Sequence, residues 1–159
     1  MSETKHPLEQ RKKYHLAQVN ISRMLAPLTE PLMAEFVSQL ESVNAIADAS
    51  PGFVWRLKNE DGNATSIRAS DDELILINLS IWESIEALSN YVYRNQHGAM
   101  LRKRRDWFEH SNQPIVALWW IEVGLIPTVE EANKRLDYLR SNGSTSYAFS
   151  FAKPFPKPS

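Results

Sequence analysis

The chain contains no cysteine. Disulfides, thiolate metal sites and a cysteine nucleophile are thereby excluded, and the composition suits a reducing compartment. Charge of one sign does not prevail either. Eighteen Lys and Arg stand against 19 Asp and Glu, a net charge of −1. Nothing in that balance draws the whole molecule to nucleic acid or to an anionic membrane. No apolar run approaches the roughly 18 residues of a membrane span. The opening stretch MSETKHPLEQRKK is polar and lacks the apolar core of a signal peptide. These absences predict a cytoplasmic protein with no membrane and no nucleic-acid partner. The glycine patterns that cradle nucleotide phosphates are missing, as is the G-x-S-x-G nucleophile elbow. His6, His15, His97 and His110 are scattered, with no pair at metal-ligand spacing, so no metal site is predicted.

What is present suffices for one domain. A chain of 159 residues buries roughly 70% of its unfolded surface, enough for an independent core. Residues 1–13 lack hydrophobic periodicity and read as a flexible arm. Residues 14–152 read as the folded domain. Residues 153–159, KPFPKPS, carry three prolines and exclude helix or interior strand.

Within the domain the apolar spacing alternates between two periods. Residues 14–24 alternate as a strand, with Ala17, Val19 and Ile21 on one face and Leu16, Gln18 and Asn20 on the other. Residues 31–48 repeat at three and four as a helix, started by Pro31 and stopped by Ser50-Pro51-Gly52. Residues 53–57 are a short strand, and Asp61-Gly62-Asn63 signals a turn. ELILINLSIW (73–82) is the clearest strand. Ile75, Ile77, Leu79 and Ile81 share one face; Leu76, Asn78, Ser80 and Trp82 share the other. Ser84 caps a helix that runs toward Trp107 with a break near Gly98. PIVALWWIEV (114–123) is a further strand. Thr128 and Glu131 form a capping box for a third helix, which Asn142-Gly143 ends. Residues 148–151 suit a short edge strand.

The order βαββαβ, with an extra C-terminal helix, is the split βαβ arrangement of an α+β, ferredoxin-like fold. Its helices are expected on one sheet face. Parity assigns them to the aliphatic set and leaves Gln18, Asn20, Asn78, Ser80 and Trp82 on an open face. That face is too apolar for water and too polar for a dry core. Two copies packed face to face would enclose it as a small-molecule cavity. Dry sheet-on-sheet dimerisation without a ligand is the competing reading.

Several side chains could carry chemistry. His97, in YVYRNQHGAMLRKRRDWF, could serve as a general base or ligand, although a lone helix histidine is more often structural. Arg102-Lys103-Arg104-Arg105 occupies four successive helix positions that point in four directions, predicting a solvated face with one or two inward ion pairs. Arg105 with Trp107 could clamp a carboxylate or planar ligand. Of the five tryptophans, most belong to core or interface.

The segments SPGFVWRL, NLSIWES and LWW, with HLAQVNISRMLAPL and LRKRRDWF, resemble the bacterial domain-of-unknown-function family 3291 over about residues 14–152. The resemblance implies a dimeric α/β barrel beside the antibiotic-biosynthesis-type monooxygenases. It singles out Asn20, Arg23, Trp55, Arg56, Asn78, Trp82, His97, Arg105, Trp107 and Trp119. The resulting expectation is a homodimer that binds a small hydrophobic or aromatic ligand without a cofactor. One version is a monooxygenase in which Asn20 and Asn78 bond an oxyanion and His97 moves the proton. Arg23, Trp55, Trp82, Arg105, Trp107 and Trp119 would then hold the substrate. The alternatives are a non-catalytic ligand carrier, a haem-binding or haem-degrading protein, and a structural dimer.

Overall fold

The computed structural model describes residues 12–58, 71–96 and 104–158. His97 and the Asp61-Gly62-Asn63 turn lie outside the described residues. Strand β1 (Tyr14–Arg23) leads through a 3-10 turn (Pro31–Met33) into helix α1 (Ala34–Ala49), then strand β2 (Phe53–Arg56) and strand β3 (Ile75–Trp82). Helix α2 (Ile85–Gln96), the short helix α3 (Arg104–Trp107), strand β4 (Val116–Glu122) and helix α4 (Val129–Asn142) complete the order. The sheet runs β2-β3-β1-β4, antiparallel at every step. This is the ferredoxin-like α+β fold expected from the order of elements.

Local chemistry explains the boundaries. Pro31 occupies the first turn of its 3-10 segment, where no N–H is missed. Ser50, extended before Pro51, ends α1 and returns its hydroxyl to Ile46 O at 2.6 Å. Ser84 Oγ accepts from the Ala87 N–H at 3.0 Å, and Thr128 Oγ1 accepts from the Glu131 N–H at 3.0 Å. Gly143 leaves α4 with φ 74°, a value that favours glycine. The region near residue 149 forms a bridge to Leu118, with both backbone bonds made at 2.8 Å, rather than a full strand. Within the proline-rich tail, Phe155 O accepts the Trp120 indole N–H at 2.8 Å.

The expected one-sided covering of the sheet is overturned. On the aliphatic face, Ala17, Val19, Ile77, Leu79, Ile81 and Trp119 pack with Ala132, Leu136 and Leu139 of α4. On the opposite face, Leu16, Trp82 and Leu118 pack with Leu88 of α2, and Phe36 of α1 joins Met24, Met33 and Trp107. Helices α1 and α2 therefore lie on the amide- and indole-bearing face, and α4 closes the other. Strand parity sorts residues into two sets without saying which helix takes which. The mixed set carries enough apolar area at its two ends to hold α1 and α2.

Candidate functional site

The mixed face is not uniform along the strands. Successive residues of β1 on this side are Leu16, Gln18, Asn20 and Ser22, followed by Met24. Those of β3 are Leu76, Asn78, Ser80 and Trp82, and Asn20 is the register partner of Asn78 across the two central strands. Leu16 and Trp82 belong to one apolar cluster, Met24 and Leu76 to another. Between the clusters runs a polar band. Gln18 and Ser80 are buried in it, Asn20 is half-buried and Asn78 is exposed. The band thus opens to solvent in the middle of a face that helices cover at both ends.

Its hydrogen bonds form two short chains. Trp82 Nε1 donates to Ser80 Oγ at 2.9 Å, and Gln18 Nε2 donates to Ser80 Oγ at 3.3 Å and to Asn78 Oδ1 at 3.1 Å. In the second chain Ser22 Oγ donates to Asn20 Oδ1 at 3.2 Å, and Arg104 Nη2 donates to Ser22 Oγ. Both asparagines have their amide oxygen engaged. Neither amide nitrogen meets an acceptor among the described residues. Two carboxamide donors are left side by side, since paired residues on one sheet face lie about 5 Å apart.

Arg104 is the second feature. It comes from α3, whose Trp107 is anchored in the Met24 and Phe36 cluster. That anchor turns Arg104 inward, half-buried, with its guanidinium 4.7 Å from the Phe108 ring centroid. Burial lowers its pKa from the ordinary arginine value. Arg102 and Lys103 of the basic run lie outside the described residues; Arg104 faces no carboxylate among the described ones. Arg23, by contrast, is held by Asp72 at 2.8 Å and by Glu109, with its pKa raised chiefly by the Asp72 bond. Arg104 lines a cleft of about 580 Å³ together with Arg105, His110 and Ser111.

The expected site residues divide between the two faces. Asn20, Asn78 and Trp82 lie on the mixed face, where Trp82 stacks on Tyr91 of α2 with centroids 5.0 Å apart. Trp107 is buried on the same side. Trp119 is fully buried on the aliphatic face, with Trp55 packed against the same cluster. Within one chain, Trp82 and Trp107 lie at the two ends of the polar band, and Trp55 and Trp119 lie on the other side of the sheet. Arg105 is exposed while Trp107 is buried, so the two form no clamp. Arg56 pairs with Asp48 of α1 at 2.8 Å. Sequence reasoning passed over Ser22 and Arg104; its one signal was that four successive helix positions cannot all face water. Among the described residues no group of His, Asp or Glu could hold a metal ion, and no helix is long and apolar enough to cross a membrane.

The family described as Domain of unknown function (DUF3291) matches residues 15–159. Among curated proteins none matches the chain. Of solved structures, SnoaB, a cofactor-independent oxygenase from Streptomyces nogalater, is 14% identical with a TM-score of 0.44, covering 70% of this chain and 95% of that one. A protein of unknown function from Nitrosomonas europaea is 11% identical with a TM-score of 0.44, covering 74% and 97%. A protein from Pseudomonas aeruginosa is 14% identical with a TM-score of 0.41, covering 70% and 96%. Likeness at this level carries no inference about activity.

Proposed function

The chain belongs to the DUF3291 family, and from that premise we propose that it binds a small organic molecule through a carbonyl or oxyanion group held by Asn20 and Asn78. The observation that carries this reading is the pair of amide nitrogens that meet no acceptor among the described residues, set between two apolar clusters. A ligand site is mostly apolar with a few converging polar groups. Two donors fixed by their own amide-oxygen bonds are aimed before the ligand arrives, which lowers the ordering cost of binding.

The same donors would favour an enolate or phenolate over its neutral parent. That is the chemical core of an oxygenase reading, which also requires a base and dioxygen. His97 is the base this oxygenase version would use. The site is built from one chain and does not call for the second copy that the enclosed-cavity expectation required.

Native mass spectrometry of freshly purified protein tests the reading. A retained small molecule that is lost in Asn78→Asp, where a donor becomes an acceptor, supports it. Retention of the same molecule by Asn78→Asp and Asn20→Asp alike removes the asparagines from the site. Oxygen uptake with hydroxyaromatic compounds, compared between the wild type and His97→Ala, separates a carrier from an oxygenase.

A further inference from the structure

We infer that the cleft beside the asparagine pair selects a carboxylate-bearing, monoanionic ligand, with Arg104 as the group that receives the carboxylate; this rests on the binding reading above and names its ligand class. Of the other described arginines, Arg23, Arg56 and Arg135 each meet a carboxylate within 2.9 Å, Arg140 donates to the Pro114 carbonyl at 2.7 Å, and Arg105 is exposed. Arg104 is half-buried and meets no carboxylate among the described residues. A cation withdrawn from water without an anion is costly to keep. Its retention is explained when the anion comes from a ligand.

The guanidinium is held from two sides. Ser22 Oγ takes one N–H, and the Phe108 ring lies against the planar face at 4.7 Å. Arginine presents five N–H donors in a fixed fork that matches a carboxylate. Arg104 lines the cleft, and its other N–H groups meet no acceptor among the described residues. Phe108 and Ile115 give that cleft apolar wall, and Ser111 adds a hydroxyl. Ser22 joins the two halves of the site, since it accepts from Arg104 and donates to Asn20.

Charge number decides between carboxylate and phosphate. One carboxylate in the cleft, Glu109, is already bound by Arg23, which also serves Asp72. That guanidinium faces two negative groups, so it has no charge to spare for a third. Asp106 stands two residues from Arg104 on α3. A dianion would meet a single half-buried cation and these negative neighbours, whereas a monoanion balances Arg104 alone. An apolar body on the carboxylate suits the Phe108 and Ile115 walls.

Isothermal titration of the full chain with benzoate, its neutral isostere benzamide and inorganic phosphate tests this inference. Benzoate is expected to bind at least about tenfold more tightly than benzamide, the factor that one charge-assisted bond supplies. Arg104→Gln should abolish that preference, Arg104→Lys should keep part of it, and Lys134→Gln, an exposed cation on α4, should leave it intact. Thermal melts confirm that each variant is folded. Absent benzoate binding, equal affinity for benzoate and benzamide in the wild type, an unchanged preference in folded Arg104→Gln, or phosphate binding more tightly than benzoate each overturns it. Benzamide binding that is lost in Asn78→Asp but insensitive to Arg104→Gln would sink the charge selection while leaving the asparagine site standing.

Discussion

Trp82 donates its indole N–H to Ser80 Oγ at 2.9 Å, while the indole N–H of Trp119, equally buried on the other side of the sheet, meets no acceptor among the described residues. A buried donor with a partner contributes about 1 kcal/mol, and one without a partner costs a comparable amount. Replacing each indole by phenyl removes similar volume. Trp82→Phe is therefore expected to destabilise the chain by about 1–2 kcal/mol more than Trp119→Phe. Urea unfolding of the two variants measures the difference, and equal losses would contradict it.

Asn78 is exposed and accepts one bond from Gln18. Asn78→Ala should change stability by less than about 1 kcal/mol, because Asn78 is exposed and Gln18 Nε2 keeps its bond to Ser80 Oγ. Ligand retention should fall sharply in the same variant. A urea midpoint and a native mass spectrum taken together distinguish a binding residue from a structural one.

Acid should weaken the fold through two aspartates. The Arg23 bond, helped by the Leu74 N–H, holds Asp72 below the usual carboxylate range, and the Arg56 bond does the same for Asp48. The folded chain then binds fewer protons than the unfolded chain between the two values. Their contribution is complete above the ordinary aspartate value of about 4 and disappears as pH falls through the lowered folded value. Thermal melts from pH 6 to pH 2 should show a decline that is shallower in Asp72→Asn and Asp48→Asn. Both pairs are partly exposed, so added salt should reduce the effect.

Gly52 has φ 83°, and a Cβ placed on it would stand 2.5 Å from Ala87 Cβ in α2. Gly52→Ala combines backbone strain with a hard contact and should cost about 2–4 kcal/mol. The double variant Gly52→Ala/Ala87→Gly removes the contact but keeps the strain. It should be less destabilised than the sum of its single variants, a non-additivity that a denaturation cycle reads directly.

The tail contributes through Phe155, whose carbonyl takes the Trp120 N–H and whose ring lies 6.1 Å from that of Phe149. Removal of residues 154–159 should red-shift tryptophan fluorescence and lower stability by about 1–3 kcal/mol.

Much of the fold was legible from spacing. Alternation in residues 14–24 and 73–82 placed the two central strands, and Ser84, Thr128 and Gly143 marked helix ends by chemistry that operates within a few residues. The family resemblance carried by SPGFVWRL and NLSIWES agrees with the match over residues 15–159. Which face each helix covers was not legible, because Leu16, Leu76 and Trp82 offered α1 and α2 as much apolar area as the aliphatic set offered. The asparagine pair was visible as two amides on one face. Arg104 was not, since its inward turn is imposed by Trp107 gripping a cluster from three separate segments.

The bridge at Phe149 also bears on self-association. Outer strands are where one sheet recruits another, through rows of unused N–H and C=O groups. Along β4 that row is interrupted at Leu118, whose main chain already exchanges both bonds with Phe149. At the far margin β2 spans only four residues and slips register between Phe53 and Trp55. Neither border of the described sheet offers a long, regular template, so chain-to-chain strand addition and the fibrous assemblies that grow from it are discouraged by the architecture itself.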